Sequence, residues 1–162
     1  MTELRKKTCC FTGHRTIPAD ELLAVVRRTE QTIRLLVEKQ GVRDFGVGGA
    51  IGYDTEAAEL LFRLKREYPQ IRVVLVYPFD GFTDRWSEAQ KERYARLLPC
   101  FDKVVRASVY AGRDAYLIRN RHLVDGSAHC IAYFTKTAGG TAYTVRYAQQ
   151  CGLQVHNVAL KG

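Results

Sequence analysis

No stretch of this 162-residue chain approaches the roughly 18 consecutive apolar residues that a membrane-spanning helix needs. The opening MTELRKKTCCFTG is charged and holds no long apolar run, so no secretory signal peptide is expected. Metal-binding spacings are missing too. There is no HExxH and no CxxC, and His14, His122, His129 and His156 stand far apart, so no metal site is expected. GxxxxGK[ST] and GxSxG are also absent, which sets aside P-loop phosphoryl transfer and serine-hydrolase chemistry. With only 4 prolines, no low-complexity tract and no repeat at solenoid spacing, the chain reads as folded and non-repetitive.

What is present points to an ordinary α/β composition, with 46% hydrophobic and 26% charged residues over a length that suits one domain, residues 1–162. The five cysteines are odd in number, and Cys9, Cys10 and Cys130 lie inside apolar runs. Unpaired thiols of this kind behave as small buried hydrophobes, so a reducing, cytoplasmic setting is expected and no membrane partner. Cys10 near His14 resembles a catalytic dyad in sequence only, and a buried strand cysteine is the preferred reading. The net charge of +8 and the pI of about 9.4 favour anionic partners such as nucleotides or nucleic acid. No run of five or six like charges occurs. Arg27, Arg28, Arg34 and Lys39, like Arg63, Lys65 and Arg66, read mostly as solvated helix faces.

Short apolar runs alternate with longer amphipathic ones. Strands are expected at 7–13, 42–49, 71–79, 102–108, 129–134 and 153–160. Helices are expected between them. The first begins near Pro18, ends at Gly41 and carries Leu22, Val26, Ile33, Leu36 and Val37 on one face. The second spans 54–68 with Asp54 as its N-cap, and further helices end near Leu98, follow Arg113 and follow Thr141. Continuous apolar strands separated by helices imply a parallel sheet covered on both faces. With right-handed crossovers this becomes one doubly wound, mainly parallel Rossmann-like α/β sheet of about six strands. Strand four is expected beside strand one.

In such sheets ligands sit outside the carboxyl ends of the strands. Three glycine turns fall on that edge. Gly13, His14 and Arg15 follow the first strand; Gly48, Gly49, Gly52 and Asp54 follow the second; Gly139, Gly140 and Thr141 follow the fifth. Glycine allows close backbone approach, and a following helix offers unpaired N–H groups to a phosphate. Each signal has a plainer reading: Gly13 as a turn glycine, Thr141 as a helix cap. Arg119 and Asn120 are either a fork and a polar reader for a phosphate-bearing ligand or part of a solvated face that Arg119 shares with His122. Phe82 and Trp86 supply either an aromatic lid, a buried anchor or a dimer contact.

The order of TGHR, GGAIGYDTEAAE, RW, QxxRY, RNRHLVDGS and GGTAYTVRYA resembles the YpsA-like branch of the SLOG superfamily, which also gathers DprA/Smf proteins and the cytokinin-activating LOG enzymes. The resemblance runs from about Thr8 to Val158. It implies a dimeric domain that binds a nucleotide or nucleotide-derived ligand, such as ADP-ribose, at the glycine edge as a sensor or regulatory module. Carried over, the first turn falls on Gly13 and Arg15, and the second loop on Gly48, Gly49, Gly52 and Asp54. The arginine motif falls on Arg119 and Asn120, and the phosphate turn on Gly139, Gly140 and Thr141. LOG enzymes carry PGGxGTxxE with a catalytic glutamate. Matching Gly140-Thr141 to that GT puts Thr144 at the glutamate position, so phosphoribohydrolase activity, the alternative function, has no carboxylate placed for it unless Asp54 or Glu56 substitutes. The DprA kinship implies a further alternative, binding of single-stranded DNA, with Tyr110, Tyr116 and Trp86 as stacking candidates. No cofactor beyond a nucleotide or nucleotide-sugar ligand is implied, and no catalytic residue is assigned.

Overall fold

The computed structural model describes residues 1–159. Each apolar run becomes a strand: β1 Thr8–Gly13, β2 Asp44–Val47, β3 Arg72–Tyr77, β4 Lys103–Arg106, β5 His129–Tyr133 and β6 Gln154–Asn157. The helices are α1 Glu3–Lys6, α2 Leu22–Gln40, α3 Tyr53–Leu64, α4 Glu88–Leu97, α5 Arg113–Asp125 and α6 Gly140–Gln150. All five strand pairings are parallel, and the six strands run in the order β4-β3-β2-β1-β5-β6. The pleat sends successive side chains to opposite faces. Cys9 and Phe11 pack with residues of α2 and α3, while Cys10 packs with residues of α5 and α6. Helices therefore cover both faces of a Rossmann-like sheet. Among the described residues, no helix is long and apolar enough to cross a membrane.

Strand four is not the neighbour of strand one. The chain runs outward through β2 and β3 to β4 at the sheet edge, and α5 then recrosses the face to place β5 against β1. Apolar runs mark strands but carry no label for their lateral order. The order therefore reverses between β1 and β5, with α5 packed over β1 and β3.

Helix starts differ from the expected ones. α2 begins at Leu22 rather than near Pro18, whose carbonyl accepts from Glu21 N–H in a preceding turn. Its buried face is Val25, Thr29, Ile33, Leu36 and Val37, with Leu22 and Val26 half-buried, and it ends at left-handed Gly41 as expected. Gly52, not Asp54, caps α3, and Gly139, not Thr141, caps α6. In both cases a positive-φ glycine reverses the chain at the cap, which a side-chain capping rule does not anticipate. The short α1 was unforeseen, and the last residue of the expected sixth strand, Leu160, lies outside the described residues.

Candidate functional site

The reversal between β1 and β5 parts the loops that follow them and leaves a polar cleft of about 350 Å³. Gly13, His14, Arg15, Asp54, Arg119, Asn120, Gly140 and Thr141 all line it, with Phe11, Thr12, Ala50 and Tyr116. Eight of the twelve expected site residues thus share one hollow. Gly48, Gly49, Gly52 and Gly139 do not line it.

Arg119 is 5% exposed, held in α5 on a face shared with buried Ala115 and Leu123 rather than with exposed His122. Its Nε donates to Asn120 Oδ1 at 2.7 Å and its Nη1 donates to the Gly48 carbonyl. Among the described residues, no carboxylate forms an ion pair with it. Burial pushes its affinity for the proton down, opposed by the nearby charge of Asp54. Asp54, in the first turn of α3, accepts from Ala50 N–H at 3.2 Å through Oδ2, while its buried Oδ1 has no hydrogen-bond partner among the described residues. Burial raises the pKa of this carboxyl above its usual range, against the pull of Arg119 and, less strongly, Arg15. The guanidinium carbons of Arg15 and Arg119 lie 5.4 and 5.7 Å from the centroid of Tyr116, whose ring meets Phe79 edge to face. From sequence Tyr116 is only a stacking candidate for single-stranded DNA. Its placement three residues before Arg119 on one helix is the signal that brings the two together.

On the opposite wall, His14 Nε2 accepts from Thr135 N–H at 2.9 Å, so a neutral ring carries its proton on Nδ1. Burial and the charge of Lys136 both hold it toward that neutral form. Beyond it α6 begins. Gly139 has φ of 103°, and a side chain added at Gly139 or Gly140 would meet nothing within 4 Å. The first N–H groups of α6 thus start at an open glycine turn, which suits an anion.

The glycines after β2 serve a different purpose from the expected ligand approach. A Cβ at Gly48 would lie 2.7 Å from Arg119 Nη1, and one at Gly13 would strike the Tyr53 ring. Gly49 and Gly52 likewise make room for Leu75 and for the Arg15 backbone. These glycines admit the protein's own side chains and so fix where Arg119 and Arg15 stand. Two further positions are explained by packing. Thr144 is buried and its hydroxyl donates to the Gly140 carbonyl at 2.9 Å, within α6. Phe82 stacks on Tyr77 at 6.0 Å and meets Trp86 and Tyr94 edge to face, forming an aromatic cluster beneath α4. Cys10 lies buried in the sheet core, away from the cleft lining.

A sequence model described as the YspA SLOG family matches residues 10–160. The chain is 27% identical over 146 residues to the SPbeta prophage-derived protein YoqJ of Bacillus subtilis, covering 81% of this chain and 80% of that protein. It is 29% identical over 124 residues to a UPF0398 protein of Halalkalibacterium halodurans, covering 75% and 65%. Among solved structures it is similar in fold to DNA processing protein A (DprA) from Streptococcus pneumoniae, with TM-score 0.66 and 18% identity over 94% of this chain. DprA from Helicobacter pylori, described for its single-stranded DNA binding mode, has TM-score 0.63 and 16% identity over 93% of this chain. The chain spans 50% and 64% of those two DprA chains.

Proposed function

The chain belongs to the YspA SLOG family, and from that premise we propose that its cleft binds a nucleotide or nucleotide-derived ligand of the ADP-ribose kind, as a sensor or regulatory module. The observation that carries this reading is a buried arginine and a buried carboxylate oxygen, each without a counterpart among the described residues, and an open helix N-terminus in one hollow. The volume of about 350 Å³ falls at the lower end of small-molecule sites. In this reading the α6 N-terminus and Arg119 hold phosphate, with Gly13, His14 Nδ1–H and Arg15 on the ligand's second anionic or ribose group. Asp54 accepts from a ribose hydroxyl, and Asn120 keeps Arg119 oriented. Gly48, Gly49, Gly52 and Gly139 act by shaping the backbone. We read the ligand as bound rather than cleaved: the position matched to the LOG glutamate is Thr144, its hydroxyl engaged inside α6, and Glu56 is taken up by Arg93, which leaves Asp54 as the carboxylate of the cleft lining. A thermal-shift panel of nucleotides and nucleotide sugars tests the reading. A ligand at a hundredfold its Kd adds about 2.7 kcal/mol of stability, and no shift from any member would count against it.

A second reading, single-stranded DNA as the ligand, is favoured by the net charge of +8 and by the likeness to DprA. It predicts oligonucleotide binding that weakens steeply with salt. A homodimer or higher homo-oligomer in solution is also proposed, to be checked by light scattering.

A further inference from the structure

A second hollow, of about 130 Å³, opens where α4 meets α3 and the loop after β2. Trp86, Tyr94 and Phe101 give it aromatic surface. Arg15 and Asp54 line this hollow and the polar cleft alike, so the two adjoin across those side chains. Some of its polar groups are already engaged. The Thr55 hydroxyl donates to the Ala50 carbonyl, and Arg93 is bound by Glu56 and Glu59. Others make no side-chain hydrogen bond among the described residues: the Arg15 guanidinium, Trp86 Nε1, the Tyr94 hydroxyl, buried Asp54 Oδ1, and Gln90 Nε2, whose amide uses only its Oε1 in the cap of α4.

We propose that this aromatic hollow is a subsite for a planar heterocycle, the base of a nucleotide whose phosphate occupies the polar cleft. The proposal rests on the nucleotide reading above and adds where the base goes. A cavity of about 150 Å³ accepts a benzene ring, so this hollow seats one planar ring, with the rest of the base projecting past Arg15. Aromatic walls give stacking to any base. Gln90 Nε2 donates to a ring nitrogen or carbonyl, and Asp54, at the junction, takes the ribose.

Trp86 is the only tryptophan in the chain, which makes the hollow directly readable. The four ribonucleoside 5′-monophosphates and ribose 5-phosphate are titrated against intrinsic fluorescence and, in parallel, by calorimetry. The expected result is saturable quenching of Trp86 by at least one nucleotide, at least tenfold tighter than ribose 5-phosphate, which binds without quenching. The variant Gln90→Glu keeps the capping acceptor on Ser87 N–H but loses the donor. It should reduce the ratio of nucleotide to ribose 5-phosphate affinity about tenfold, and the ratio cancels losses common to both ligands. Equal affinities for nucleotide and ribose 5-phosphate, or an unchanged ratio in Gln90→Glu, would overturn the base subsite while leaving the phosphate cleft standing. No binding of any of the five would overturn the base subsite, and the phosphate cleft falls with it if ADP-ribose also fails to bind.

Discussion

Two arginines on the same edge of the sheet are treated in opposite ways. Arg93 on α4 is half-buried and closed by two glutamates, at 2.6 Å to Glu59 and 3.0 Å to Glu56. Arg119 on α5 is almost fully buried, and among the described residues its hydrogen bonds go to an amide oxygen and a backbone carbonyl. The first is a clamp. α4 has no buried residue of its own, and this pairing, with the Trp86–Tyr94 aromatic cluster, holds it against α3. The second bears a large desolvation cost without a full counter-charge, which is what a site awaiting an anion looks like. Pairing completeness, more than position, separates the two cations.

Four perturbations sharpen that contrast. The largest effect is expected for Arg119→Ala. It leaves the buried Gly48 carbonyl without its donor, lowering stability by about 2 kcal/mol in urea titration and abolishing nucleotide binding by calorimetry. Next comes Gly48→Ala, whose new methyl must displace the Arg119 guanidinium. Overpacking of this kind costs about 1–3 kcal/mol, and ligand affinity should fall with it although no ligand-facing group has been removed. A Gly48→Ala protein that binds normally would break the link between the glycine loop and Arg119. Arg93→Ala should cost no more than about 1 kcal/mol, because a partly exposed ion pair is screened by solvent.

The smallest effect is expected from pH. His129 and His156 stack at 6.0 Å near the β5–β6 edge, and each has a buried ring nitrogen without a partner among the described residues. Burial lowers the pKa of both below the usual 6.5, and His156 lowers that of His129 further. The folded state therefore binds fewer protons than the unfolded chain as pH falls through the ordinary histidine range. Their contribution is present above about pH 6.5 and is lost on acidification. The urea midpoint should drop between pH 7.5 and 5.5, and the drop should shrink in His156→Asn.

The convergence of Gly13, His14, Arg15, Asp54, Arg119, Asn120, Gly140 and Thr141 was legible because a parallel sheet puts every strand's carboxyl end on one edge. The work of the glycines was not. Gly48 answers to a guanidinium 71 residues away, a partner that no local pattern names. Asp54 looked like an N-cap because its residue type and place before an apolar run fit that role. Gly52 took it instead, freeing the carboxyl to turn into the cleft. Lateral strand order was hidden for the same reason: hydrophobic runs record burial, while α5's return across the sheet is a property of the whole packing.

Calorimetric titration of ADP-ribose into the wild-type chain and into Arg119→Lys tests the central claim most directly. Lysine keeps the charge but loses the planar fork and the bond to Asn120. Saturable one-site binding to the wild type, weakened at least tenfold by the substitution, is the predicted result. Equal affinity in the two proteins, or no binding to the wild type, would contradict it.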